Sequence, residues 1–157
     1  PINTAISKII NDLYKFNIQL IWQTGPHHYS QCKQFQSSKC SVHSFIDKMD
    51  MAYLAADIVV SRAGAITISE ICYLAKASIL VPSPYVSENH QTKNAQYLVD
   101  HNACILIEES TLSKELGNGI LSLMDKNNRH SIALSANKLF RYNAAHDISN
   151  IILKDIQ

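Results

Sequence analysis

The chain lacks long apolar runs. No stretch approaches the ~20 residues that a membrane-spanning helix requires. It lacks clustered Lys and Arg, so it carries no electrostatic footprint for a nucleic acid partner. Its four cysteines (Cys32, Cys40, Cys72 and Cys104) form no C-x-x-C pair and no zinc-ligand spacing. Cys72 and Cys104 stand among apolar residues, where a thiol serves as a small buried hydrophobe, and a reducing cytoplasm suits that usage. No Asp-x-Asp metal motif occurs. The seven histidines fall in no Ser-His-Asp order that would place a nucleophile triad. His27 and His28 are sequence neighbours, whose side chains do not converge easily on one ion. Internal repeats and low-complexity segments are absent.

What is present is the composition of a globular domain. The 157 residues are 46% hydrophobic and 17% charged, with a formal net charge of +1, enough for a single domain with its own core. The chain opens on Pro1 rather than Met and enters a helical pattern almost at once, which reads as a piece of a longer protein.

Hydrophobic spacing sets out the elements. Ile6, Ile9, Ile10, Leu13 and Tyr14 recur at helical intervals, with Asn3 or Thr4 as candidate caps. Residues 16–25 read as a strand ending at Gly25, and residues 26–40 as a polar loop or weak helix. Short strands are predicted over 40–45 and 58–60, with a helix over 51–56 between them. A helix over 67–75 follows, then Ser78-Ile79-Leu80-Val81-Pro82, a continuous apolar strand of the kind covered on both faces. Next come a Pro- and Ser-containing loop over 83–89, a helix over 90–99, a strand over 103–107, and helices near 112–124, 131–142 and 146–155. Strands alternating with helices predict an α/β fold, a Rossmann-like doubly wound parallel sheet. Ligands of such sheets sit beyond the C-terminal strand ends. Four segments fall there: Thr24-Gly25, Ser44 to Asp47, Ser61 to Thr67, and Pro82 to Gln91.

The segment from Ser61 to Glu70 is the most informative. It is a small-residue turn between the run Asp57-Ile58-Val59-Val60 and a helix, which leaves unpaired backbone N–H groups facing a ligand. A diphosphate is the natural occupant. Gly64 allows close approach, Thr67 offers a hydroxyl, Arg62 offers charge, and Glu70 can accept hydrogen bonds from a sugar diol. Each has a plainer reading. Thr67 can be an N-cap, Glu70 a first-turn partner of the helix dipole, Arg62 the mate of a nearby acid, and Gln91 a solvated side chain. His90 and Asn94 share a helix face.

Together these residues carry a family resemblance. Phe45-Ile46-Asp47-Lys48-Met49, Ala52 to Asp57, Ser61-Arg62-Ala63-Gly64-Ala65 with Thr67 and Glu70, Val81-Pro82 with Pro84, and His90-Gln91 with Asn94-Ala95 and Leu98 occur in an ordered set. So does Ile21-Trp22-Gln23-Thr24-Gly25 before them, and Asn143-Ala144-Ala145 with Ile148 and Ile152 after them. The set resembles the C-terminal domain of the MurG family, the bacterial N-acetylglucosaminyltransferases of peptidoglycan synthesis. Two positions depart from the family pattern, where Ala75 and Ala77 stand in place of a Gly and a Pro.

The resemblance implies the UDP-GlcNAc-binding half of an inverting GT-B glycosyltransferase that makes lipid II from lipid I, with no cofactor and no metal. Ile46 would meet the uracil through its backbone, and Glu70 the ribose hydroxyls. Ala65, Ile66 and Thr67 would face the diphosphate, and Gln91 the GlcNAc hydroxyls, with His90, Asn94 and Arg62 beside them. It further implies one domain over residues 1–157 lacking its first strand and a glycine-rich loop. An N-terminal domain elsewhere would hold the acceptor and the general base, so this piece alone would be inactive. The lipid acceptor would place the parent protein peripherally on the cytoplasmic side of the inner membrane. Alternative readings are a related GT-B enzyme with another UDP-sugar or acceptor, a UDP-GlcNAc 2-epimerase, and a non-catalytic sugar-nucleotide-binding module.

Overall fold

A computed structural model describes residues 1–85 and 89–155. In chain order the elements are α1 (Ile2–Lys15), β1 (Leu20–Gln23), α2 (Pro26–Cys32), a 3-10 turn (Lys33–Phe35), β2 (Cys40–His43), α3 (Met49–Ala55), β3 (Ile58–Ser61), α4 (Ala65–Tyr73), β4 (Ala77–Leu80), α5 (His90–Asp100), β5 (Ile105–Leu106), α6 (Leu112–Ser122), α7 (Lys126–Lys138) and α8 (Ala144–Asp155). Val86, Ser87 and Glu88 of the predicted 83–89 loop, and the last two residues of the chain, lie outside the described residues.

All strand pairings between these elements are parallel, as the alternation of strand and helix predicts. β1 runs beside β2, Leu20 opposite Cys40 and Gln23 opposite His43. β4 lies between β3 and β5, with Ile58 opposite Ala77, Ser61 opposite Leu80 and Ile79 opposite Ile105. Every residue of β4 is buried, because helices cover both faces. On one face Ala77 and Ile79 join Ile6, Ile10 and Leu13 of α1 and Leu116 and Ile120 of α6. On the other, Leu80 joins Tyr53 of α3, Ile71 and Cys72 of α4, and Ala95 and Leu98 of α5. The two helix layers make the fold doubly wound.

The described strands form two hydrogen-bonded sheets rather than one. Between them lies a cavity of about 1070 Å³, lined by every residue of β1 and of β3. Among the described residues, each of these two strands pairs on one side only.

Local physics moves several element boundaries. α1 starts at Ile2, so Asn3 lies inside the helix instead of capping it. Its side chain bridges to β1, donating to the Thr24 carbonyl at 2.9 Å and accepting from Trp22 Nε1 at 2.9 Å. Phe16 and Asn17 belong to the turn that closes α1, not to a strand. Residues 26–32 are a helix, opened by Pro26 in the first turn after Gly25 at φ 77°. α7 starts before Ser131, because the Asp125 carboxylate accepts from the Asn128 N–H at 2.8 Å.

Three helices end alike. Ile18, Lys76 and Ala103 donate back to Leu13, Ile71 and Leu98, while Asn17, Ala75 and Asn102 donate to Tyr14, Cys72 and Val99. This is the Schellman ending, whose pivot residue takes a left-handed backbone. The pivots sit at φ 57° (Asn17), 50° (Ala75) and 52° (Asn102). Asparagine tolerates that conformation, but alanine's Cβ meets the following carbonyl at a cost of about 1–2 kcal/mol. Ala75 therefore stores strain at its pivot. Among the described residues, no helix is long and apolar enough to cross a membrane.

Candidate functional site

The site begins at the N-terminus of α4. Gly64 is the N-cap with φ −70° and ψ 145°, and no side chain caps the helix. The first N–H groups, at Ala65, Ile66 and Thr67, have no carbonyl one turn back within the helix and carry its positive end. Ala65 and Ile66 are exposed, Ile66 at 78%. Thr67 stands inside the first turn rather than at the capping position. A Cβ placed on Gly64 would come no nearer than 3.9 Å to its closest neighbour, Thr67 Oγ1. Neither backbone angle nor packing requires glycine there, so what its lack of a side chain preserves is open space before the helix.

Because α4 starts at Ala65, Glu70 falls beyond the first turn, which contains no acid. The dipole's effect fades within that turn, so the helix-dipole reading of Glu70 loses its basis. Glu70 is instead held by a partner that the sequence did not single out. The Tyr53 hydroxyl, on α3, donates to Glu70 Oε2 at 3.0 Å. Tyr53 is 8% exposed, and burial together with the Glu70 carboxylate pushes its phenol pKa up, which keeps it a donor.

Arg62 has the acidic mate that the plainer reading of the sequence offered. Its Nη1 lies 2.6 Å from Glu109 Oε2 and donates to the Val81 and Pro82 carbonyls at 3.2 Å each. One guanidinium thus ties the chain after β3, β4 and β5 into a single rim.

On α5, Gln91 Oε1 accepts from the Ser83 N–H at 2.9 Å, which leaves the amide N–H groups of Gln91 for other use. Asn94 Nδ2 reaches the Ala63 carbonyl at 3.4 Å, linking α5 to the turn before α4. His90 is exposed at the start of α5.

The opposite wall follows β1 and β2. Ile46 donates its N–H to Gln23 Oε1 at 2.9 Å. Thr24, 5% exposed, donates both its N–H (2.9 Å) and its hydroxyl (3.1 Å) to the His43 carbonyl. Thr24, Gly25, Ile46, Tyr53, Arg62 and Thr67 all border the same cavity. Among the described residues, no three His, Cys, Asp or Glu side chains come together as a metal set.

Comparison with known proteins decides the family. Residues 1–148 match the model of the glycosyltransferase family 28 C-terminal domain. The chain belongs to that family. Its relatives include a UDP-N-acetylglucosamine--N-acetylmuramyl-(pentapeptide) pyrophosphoryl-undecaprenol N-acetylglucosamine transferase of Flavobacterium psychrophilum, 40% identical over 99% of this chain and 43% of the relative. A transferase of the same name from Parabacteroides distasonis is 44% identical over 73% of this chain and 32% of the relative. The crystal structure of Acinetobacter baumannii MurG superposes with a TM-score of 0.78 at 26% identity, covering 96% of this chain and 46% of that one. The family 28 domain described here therefore spans less than half the length of these relatives.

Proposed function

We propose that this domain binds UDP-N-acetylglucosamine for a transferase that moves N-acetylglucosamine onto lipid I, with inversion, to give lipid II. The observation that carries the reading is the uncapped, exposed start of α4 with a tethered carboxylate further along the same helix. The relatives' names supply the substrate class. In this reading the diphosphate sits before Ala65, Ile66 and Thr67, and Glu70 takes the ribose hydroxyls. The Ile46 carbonyl meets the uracil. Gln91 takes sugar hydroxyls through its amide N–H groups, with His90 and Asn94 alongside, and Arg62 braces the rim around them. As the glycosidic bond breaks, charge grows on the departing UDP. The helix N-terminus and the Thr67 hydroxyl stabilise that charge as fixed dipoles. Acceptor and general base belong to an N-terminal domain of the parent protein, which works at the cytoplasmic membrane surface where its lipid substrate lies.

The same reading completes the fold. One further parallel strand, from polypeptide outside residues 1–157, would lie between β1 and β3 and merge the two sheets. The cavity lined by both strands and their unshared edges support this. Hydrogen exchange tests it, since the amides of Ile21 and Val60, which point away from β2 and β4, should be protected in the intact protein and exchange freely in residues 1–157 alone.

Titration calorimetry of the intact enzyme with UDP tests the site. Glu70→Ala should weaken binding about tenfold or more, the equivalent of a hydrogen bond to a charged group. Unchanged affinity would remove Glu70 from the pentose.

A further inference from the structure

Glu70 has rotatable side-chain bonds and a half-exposed position, yet one of its two oxygens is fixed. The donor that fixes it, Tyr53, cannot move freely. Its ring is packed in the core formed with Ala63, Ile71, Cys72 and Leu80. A buried phenol needs an acceptor, and Glu70 satisfies that need, so the contact has a purely structural explanation as well. The geometry adds something that explanation does not require. Tyr53 also borders, with Thr67, Arg62 and Ile46, the cavity between the two sheets, so its hydroxyl stands between that cavity and Glu70.

We propose that Tyr53 is a positioning residue for the nucleoside diphosphate: its hydroxyl holds Glu70 Oε2 so that Oε1 is presented, already oriented, to the vicinal diol of the pentose. The proposal rests on the ribose role assigned to Glu70 above. A carboxylate ordered before the ligand arrives spares the rotamer entropy that binding would otherwise consume, so part of the affinity for the diol is stored in the Tyr53–Glu70 bond. Burial and the adjacent carboxylate keep the phenol protonated over the working pH range, so the tether does not titrate away.

The test compares UDP with 2′,3′-dideoxy-UDP in the intact enzyme by calorimetry, using the ratio of the two dissociation constants as the readout. A general packing defect weakens both ligands alike and leaves that ratio in place. The native ratio should be about tenfold or more, as expected for bonds to a charged acceptor. Tyr53→Phe should cut it severalfold at nearly unchanged dideoxy-UDP affinity, and should add nothing in a Glu70→Ala background. If Glu70→Ala abolishes the ratio but Tyr53→Phe retains it, the positioning role is wrong and the ribose role stands. If Glu70→Ala retains the ratio, both are wrong. Glu70→Gln supplies a version that leaves Tyr53 intact. With its carbonyl oxygen claimed by Tyr53, this variant offers the diol only a neutral amide N–H donor, so the ratio should fall between those of the native protein and Glu70→Ala, and a ratio equal to the native one would remove the charged acceptor from the pentose. Near-UV circular dichroism of Tyr53→Phe checks that the fold is kept.

Discussion

Arg62 and Glu109 meet at 2.6 Å across the rim of the sheet, and the same guanidinium nitrogen also serves the carbonyls of Val81 and Pro82. The pair is partly shielded, with side chains 32% and 18% exposed. Removing the arginine strands a half-buried carboxylate and two carbonyls at once. Arg62→Ala should therefore lower unfolding free energy by about 1–2 kcal/mol in chemical denaturation, the lower end reflecting solvent screening of the pair. Arg62→Lys should recover only part, because a shorter side chain must bring a strongly hydrated ammonium to acceptors placed for Nη1.

Ala75 should respond in the opposite sense. Ala75→Gly relieves a left-handed backbone at φ 50° while keeping the Schellman hydrogen bonds. A gain of about 1 kcal/mol is expected after the extra freedom of glycine in the unfolded chain is set against the relief. Thermal denaturation measures it, and a lower melting temperature would show that Ala75 is not strained.

Gly64 separates stability from binding. The space around it admits a methyl group and its backbone angles suit any residue. Gly64→Ala should cost about 1 kcal/mol or less, the preference of an N-cap for glycine over alanine. The added methyl would intrude where the diphosphate is proposed to approach, so UDP affinity should fall about tenfold or more. Equal affinity for the two proteins would move the phosphates away from this turn.

The four cysteines are buried and free, and burial pushes each thiol pKa up, that of Cys104 from 9.0 to about 12 with Cys72 adding to it. The folded protein holds these protons where the unfolded chain releases them. Stability is therefore unaffected below about pH 9 and declines as pH rises from there toward 12. Iodoacetamide labelling at pH 8 should be slow in the native state and should track unfolding. Rapid native labelling of Cys104 would contradict its burial.

Much of this was legible in the sequence, for reasons that differ by residue. β4 was evident because Ile79, Leu80 and Val81 form an apolar run with no polar alternation, as a strand covered on both faces must. The turn from Ser61 to Thr67 announced itself through small residues between a strand and a helix. Glu70 was found, but its environment was not. Whether it lay in the first turn depended on where α4 began, a matter of two residues, and nothing in the spacing of Tyr53 and Glu70 pairs a residue of α3 with one of α4. The Arg62–Glu109 pair joins residues far apart in sequence, so only the return of the chain after β5 reveals it. Asn3 was misassigned because a capping residue and a tertiary bridge have the same composition, and only the position of Trp22 distinguishes them.

The unshared borders of β1 and β3 also bear on how residues 1–157 behave alone. Among the described residues, each has one edge with no strand against it, open to any extended chain that drifts near, including another copy of itself. Handled as an isolated piece at high concentration, the domain should be prone to stick edge to edge, and a short extended peptide able to occupy the cleft should act as its solubiliser.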